Sequence, residues 1–111
     1  MKISTLIKQG ILIVRVEGEM DMHAADEFRN IVDSALEASG VKNILLNLKD
    51  VTFIDSSGLG VILGRYKKVN MLGGKLTATN VRPQVIKIFQ LSGMLKIMNL
   101  YSSETEALQY L

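Results

Sequence analysis

Residues 44–66 run Ile44-Leu45-Leu46-Asn47-Leu48-Lys49-Asp50-Val51-Thr52-Phe53-Ile54-Asp55-Ser56-Ser57-Gly58-Leu59-Gly60-Val61-Ile62-Leu63-Gly64-Arg65-Tyr66. The compact apolar run Ile44–Leu48 reads as a central strand buried on both faces. Val51, Phe53 and Ile54 continue extended. The chain then turns at Asp55-Ser56-Ser57-Gly58 into a helix that reaches about Asn70, with Leu59, Ile62, Leu63 and Tyr66 on one face. Ser56 and Ser57 stand where N-caps belong. A strand feeding a helix through a short polar turn is the unit of a parallel α/β sheet.

Working outward from this unit, Lys2–Lys8 and Ile11–Glu17 read as two strands around Gln9-Gly10, an antiparallel hairpin closed by Gly18. Leu12, Val14 and Val16 alternate with Ile13, Arg15 and Glu17, the pattern of a half-buried strand. Asp21 caps a helix running to about Ser39, with Ala25, Phe28, Val32, Ala35 and Leu36 as its apolar stripe and Gly40 as its stop. Gly73-Gly74 leads into a strand over Lys75–Thr79. Pro83 opens a third helix that buries Val85, Ile86 and Phe89 and ends at Gly93. Met94 and Leu95 follow it at the core or its rim, or at an interface. Lys96–Tyr101 reads as a last strand. Ser103 and Glu106, at capping-box spacing, open a C-terminal helix with Ala107, Leu108 and Leu111. The order β-β-α-β-α-β-α-β-α predicts one α/β domain over residues 1–111. Its sheet is mixed but mostly parallel, with an N-terminal antiparallel hairpin and about four helices. Binding in such folds gathers outside the carboxyl ends of the strands, where the Asp55–Gly58 turn lies.

Composition narrows the function. The chain has 111 residues, 48% hydrophobic and 22% charged, which is globular and not disordered. It has no cysteine, so disulfide scaffolds, thiolate zinc sites and cysteine nucleophiles are excluded. That count suits a cytoplasmic protein. The apolar run Ile11–Val14 is too short to span a membrane. Thirteen Lys and Arg against eleven Asp and Glu give a net charge of +2, with few aromatic residues, unlike a nucleic-acid binder with its basic stripe and stacking platforms. Gly58-Leu59-Gly60 followed by Gly64 is one residue too long for a dinucleotide fingerprint, and no P-loop lysine is present. His23 is the only histidine. With no second metal ligand and no G-x-S-x-G, it reads as solvent-facing. Arg65, Lys67, Lys68 and Lys75 read as a solvated basic face, or as a surface that steers an acidic partner.

The glycines of the second helix break local rules. Each glycine inside a helix costs about 0.8–1.0 kcal/mol relative to alanine. Two readings stay open. Gly60 and Gly64 share a face and could let the helix press onto the sheet. Alternatively, Gly58 and Gly60 keep the first turn bare so that another protein can approach. The turn itself also has two readings, as a structural cap or as an exposed phosphate site.

The run Phe53–Lys67, joined by Gly18-Glu19-Met20-Asp21, by Ile44–Leu48 with Asp50, and by Leu91-Ser92-Gly93 leading into Lys96-Ile97, resembles the anti-sigma factor antagonists of the STAS domain family. The likeness is greatest to the sporulation branch. It implies a regulator rather than an enzyme, with no cofactor of its own. Ser56 would be the phosphate acceptor. Ser57, Gly58, Leu59 and Gly60, with Asp55 and Asp21, would face the partner. That partner would be an anti-sigma factor serine kinase, which uses ATP and Mg²⁺. A serine phosphatase acting on phospho-Ser56 would reset the cycle. The unphosphorylated form would displace the sigma factor, and phosphorylation would end the contact. The resemblance implies no nucleic-acid or membrane partner. Other readings are an antagonist in a general stress-response module, a ligand-sensing STAS module, and a small hydrolase, which the lone histidine disfavours.

Overall fold

The computed structural model describes residues 1–111. Strands β1 (Lys2–Lys8) and β2 (Ile11–Met20) form the antiparallel hairpin. Gln9 and Gly10 both take positive φ, 54° and 74°, as a two-residue hairpin turn of the primed kind requires. Helix α1 (Ala25–Ser39), strand β3 (Asn43–Ile54), helix α2 (Ser56–Met71), strand β4 (Leu76–Thr79), helix α3 (Pro83–Ser92), strand β5 (Asn99–Tyr101) and helix α4 (Glu104–Tyr110) complete the chain. The sheet order is β1-β2-β3-β4-β5, with every pairing after the first one parallel. The expected architecture is therefore present, with its five strands and four helices.

The core has two unequal layers. Leu12, Val14, Ile44, Leu46, Leu48 and Ala78 point from the sheet into a large cluster with Phe28 and Val32 of α1, Ile62 and Val69 of α2, and Val85 and Phe89 of α3. Their sequence neighbours Ile11, Ile13 and Leu45 face the other way, onto Ala107 of α4. Period-2 alternation thus persists, but both faces are covered. Ile13 is buried like Leu12 and Val14, so the lower part of β2 is buried on both sides rather than half-buried.

Several expectations are corrected. Gly18 does not close the hairpin. It lies inside β2 beside a register shift, with φ 113°, and a Cβ there would sit 3.3 Å from the Met1 Cα. The α1 helix begins at Ala25 rather than just after Asp21. Residues Met94–Lys96 form a single 3-10 turn, so the last strand starts only at Asn99. There Met94 is buried and Leu95 lies on the surface. The buried face of α2 is Gly58, Val61, Ile62, Arg65 and Val69. Leu59 and Tyr66 are only partly buried against the core. The Ser103 hydroxyl accepts from Glu106 N at 3.1 Å, but the Glu106 carboxylate turns to the Ser102 N–H and hydroxyl, so only half of the capping box forms as read.

Candidate functional site

The site is built at the carboxyl ends of β2 and β3. The two strands are stitched there by Asp55 N–H donating to Met20 O at 3.2 Å. Each strand then releases an aspartate that organises the next turn. Asp21 Oδ1 accepts from His23 N at 3.0 Å and Ala24 N at 3.1 Å. It folds the turn ahead of α1 rather than capping the helix itself. Asp55 has extended backbone, φ −94° and ψ −173°, and is the N-cap of α2. Its Oδ1 accepts from Gly58 N at 2.9 Å, and its carbonyl accepts from Leu59 N at 2.9 Å.

This arrangement moves the cap by one residue from its expected place. Ser56 and Ser57 are the first residues of the helix, not its caps. Because Asp55 holds the orphan amide, the exposed Ser56 hydroxyl is left to solvent at the head of α2. Ser57 is half-buried beside it.

The glycines divide between the two readings. A Cβ on Gly58 would lie 2.3 Å from Met20 O and 2.8 Å from the Ile54 Cγ2, so Gly58 is where the helix presses onto the sheet. Gly60 and Gly64 have open space around them, which removes the packing reading for both. Gly60 is exposed one turn beyond Ser56 and leaves the approach bare.

Two neighbours stand outside the site residues expected from the sequence. Met22 and Phe53 are 68% and 46% exposed at the same end of the sheet, and they give the polar turn an apolar flank. Their signal was present, since Phe53 breaks the alternation just before Ile54 and Met22 follows Asp21. A shallow recess of about 300 Å³ beside Asp21 is lined by Met1, Glu19, Asp21, His23, Ala24 and Glu27. It carries three carboxylates. His23 is exposed there, as read. No group of three or more histidine or carboxylate side chains is placed to hold a metal ion, and no helix is long and apolar enough to cross a membrane.

The perturbed charges lie elsewhere. Hydrogen bonding to Arg15 holds the Glu104 carboxyl down at about 2, with Asn47 adding a second bond. Burial lowers the Arg65 pKa despite its neighbour Asp33. Arg65 is therefore not part of a solvated face, whereas Lys67 and Lys75 are exposed as read. Arg65 is buried and paired with α1, and Lys68 reaches the same helix.

Residues 2–107 match the STAS domain family. The chain belongs to that family. It is 46% identical to an anti-sigma F factor antagonist of Paenibacillus polymyxa over 100 residues, 90% of this chain and 86% of that one. It is 30% identical to the anti-sigma-B factor antagonist of Bacillus subtilis, covering 98% of this chain and all of the relative. Among solved structures it resembles the Bacillus cell fate determinant SpoIIAA in its phosphorylated form, with TM-score 0.76 and 29% identity over 98% of both chains. The unphosphorylated SpoIIAA gives TM-score 0.77 at 26% identity, covering 98% of this chain and 96% of that one. This STAS domain thus shares its fold with a protein solved in unphosphorylated and phosphorylated forms.

Proposed function

We propose that this STAS domain is an anti-sigma factor antagonist of the sporulation type, switched off by phosphorylation at Ser56. The observation that carries the reading is the exposed Ser56 hydroxyl at the head of α2, freed of capping by Asp55. In its unmodified state the chain docks onto an anti-sigma factor through Asp21, Asp55, Ser57, Gly58, Leu59 and Gly60, and the sigma factor is released. Gly58 contributes from below, by seating the turn on Met20 and Ile54. The other residues offer atoms at the surface. The greater identity to an anti-sigma F antagonist than to an anti-sigma-B antagonist favours the sporulation branch over the stress-response one. The exchange takes place in the cytoplasm.

The anti-sigma factor acts as the serine kinase and supplies the base, ATP and Mg²⁺. The bare backbone at Gly60 lets its active site reach the Ser56 oxygen in line with the transferred phosphoryl group, where positioning dominates the chemistry. The product carries about −1.5 to −2 charges next to Asp55 and near Asp21. A like charge on the docked partner about 5 Å from the phosphate costs roughly 3 kcal/mol at an effective dielectric of 20, which is more than about a hundredfold in affinity. A serine phosphatase removes the phosphate and restores docking.

The test is a binding titration against the cognate kinase. Ser56→Ala is expected to bind and to resist release by ATP. Ser56→Asp is expected to bind at least about tenfold more weakly than the parent. Equal affinity of Ser56→Asp and the parent would remove charge at this turn as the switch.

A further inference from the structure

The end of the molecule away from Ser56 holds an apolar recess that the docking surface above does not use. It lies between the C-terminal ends of α1 and α2, where Leu36, Gly40, Val41 and Leu72 line about 250 Å³ together with Lys42 and Lys68. Gly40 takes positive φ, 70°, which stops α1 and turns the chain toward β3. Glu37 is the one acid at the recess, and Lys68 holds it at 3.2 Å. The wall is nonetheless almost wholly apolar, because lysines lay their aliphatic stems along such surfaces and keep their charged heads away from them.

The rim around the recess is basic. A Cβ on Gly74 would collide with the Lys42 carbonyl, so the segment entering β4 lies hard against the one entering β3. Ile44 N–H donates to Lys75 O at 3.0 Å, and Lys75 N–H donates to Asn43 Oδ1 at 2.8 Å. Lys42 and Lys75 are thereby neighbours. Both are exposed, and neither has an ion-pair partner. Lys67 is likewise exposed and unpaired, and it shares a face of α2 with Met71, four residues on. Met71 and Leu72 are 88% and 45% exposed. At the other end of the molecule the sign is reversed, with Glu19, Asp21 and Glu27 gathered at the Asp21 turn.

We infer that this rim is a second docking surface, for an acidic protein segment that seats one apolar side chain in the recess and sets its carboxylates against Lys42, Lys67 and Lys75. Charge selects the partner: unpaired lysines draw carboxylates here, and the acidic opposite rim turns the same segment away from the Ser56 end. Shape selects a protein over a lipid surface. A concave recess accepts an inserted side chain, whereas a helix lying on a bilayer needs a broad apolar face, and on α2 Lys67 and Asn70 are exposed beside Met71. Ser56 is the first residue of α2 and Met71 the last, roughly 22 Å apart along the helix at 1.5 Å per residue. That is more than two Debye lengths of ~8 Å at physiological ionic strength. A partner held here keeps its grip whether or not Ser56 carries a phosphate, and it leaves the Ser56 turn open.

The test titrates the whole chain with a synthetic peptide of glutamates around one leucine–phenylalanine pair, followed by amide chemical shifts. The shifts are expected to move at Val41, Lys42, Leu72 and Gly73 and to stay still from Ser56 to Gly60. Lys42→Glu combined with Lys75→Glu should weaken binding at least about tenfold, with the urea midpoint showing that these surface changes leave the fold intact. Leu72→Gln, which places a polar group in the recess, should also weaken it. Ser56→Asp should bind within about twofold of the parent. The same peptide with lysines in place of its glutamates should not bind. Shifts gathered elsewhere, equal binding of the two peptides, or a charge-reversed variant that binds like the parent overturn the inference. So does co-sedimentation with phosphatidylserine vesicles in the absence of peptide binding, which puts a lipid surface on the rim. Self-association of the chain that the charge reversal abolishes overturns it too, by placing a second copy there. No kinase enters these measurements, so their failure leaves the proposed function untouched.

Discussion

At the Ser56 turn, the cap and the exposed hydroxyl belong to different residues, which is what the proposed modification needs. If the Ser56 oxygen held the helix amide, adding a phosphoryl group would change the acceptor that starts α2. Asp55 holds that amide instead, through its 2.9 Å bond to Gly58 N, so Ser56 can change chemistry while the helix keeps its start. Asp55→Ala is therefore expected to lower stability by about 1 kcal/mol, the usual worth of an N-cap, and urea unfolding measures it. The glycines give a paired prediction. Gly58→Ala should destabilise strongly, because its Cβ would collide with Met20 O, which is backbone and cannot swing away. Gly60→Asp should remain folded, since its position is open, yet lose docking to the kinase. Thermal melts and a pull-down on both variants separate these outcomes. The sequence already placed a polar turn and an odd set of glycines here. It could not say which residue caps, because Asp and Ser serve equally well as N-caps and the choice depends on where β3 ends. It could not sort the glycines either, because their difference lies in Met20 and Ile54, which approach Gly58 from elsewhere in the fold.

Among the elements, α4 shows how a short helix is held. Seven residues have little helical stability of their own. Here Arg15 grips Glu104 with two bonds, 2.9 and 2.8 Å, and Asn47 donates a third at 2.6 Å. Ala107 seats on Ile11, Ile13 and Leu45, and Tyr110 stacks on Tyr101 with ring centroids 5.5 Å apart. The Glu104 carboxyl is thereby held at about 2, against an ordinary 4.5. A folded-state pKa below the unfolded one means that the contribution is complete above about pH 4.5 and is lost as pH falls toward 2. Glu104→Gln should accordingly be less stable than the parent at pH 7, with the gap closing at the acid end. Urea midpoints measured across that range check the sign. The helix was visible beforehand from Ser103 and its apolar residues. The clamp was not, because Arg15 and Glu104 stand 89 residues apart and meet only across the sheet. The same reason explains β2 and α2. A strand reads as half-buried until a later helix covers its second face, and the inward face of α2 is set by Gly58 pressing onto Met20 and Ile54 rather than by its largest side chains.

For the molecule as a whole, the parallel order β2-β3-β4-β5 brings the strand ends and helix heads to one rim, which is why Asp21 and Ser56 can share a surface although 35 positions separate them. The alternation of strand and helix patterns was enough to foresee this, since handed crossovers leave few arrangements open. The buried Arg65–Asp33 pair was not foreseeable, because a cation in a helix reads as solvated until its neighbour is known. The fold thus places an exposed hydroxyl and a bare approach on a rigid frame, and the account turns on that hydroxyl alone changing its charge. The most direct measurement is incubation with the cognate kinase and ATP, followed by peptide mapping of the phosphate by mass spectrometry. One phosphoryl group on Ser56, absent from the Ser56→Ala variant, is the result expected. Phosphate recovered on Ser57 or elsewhere, or a phospho-Ser56 form that still holds its kinase as tightly as the parent, would contradict it.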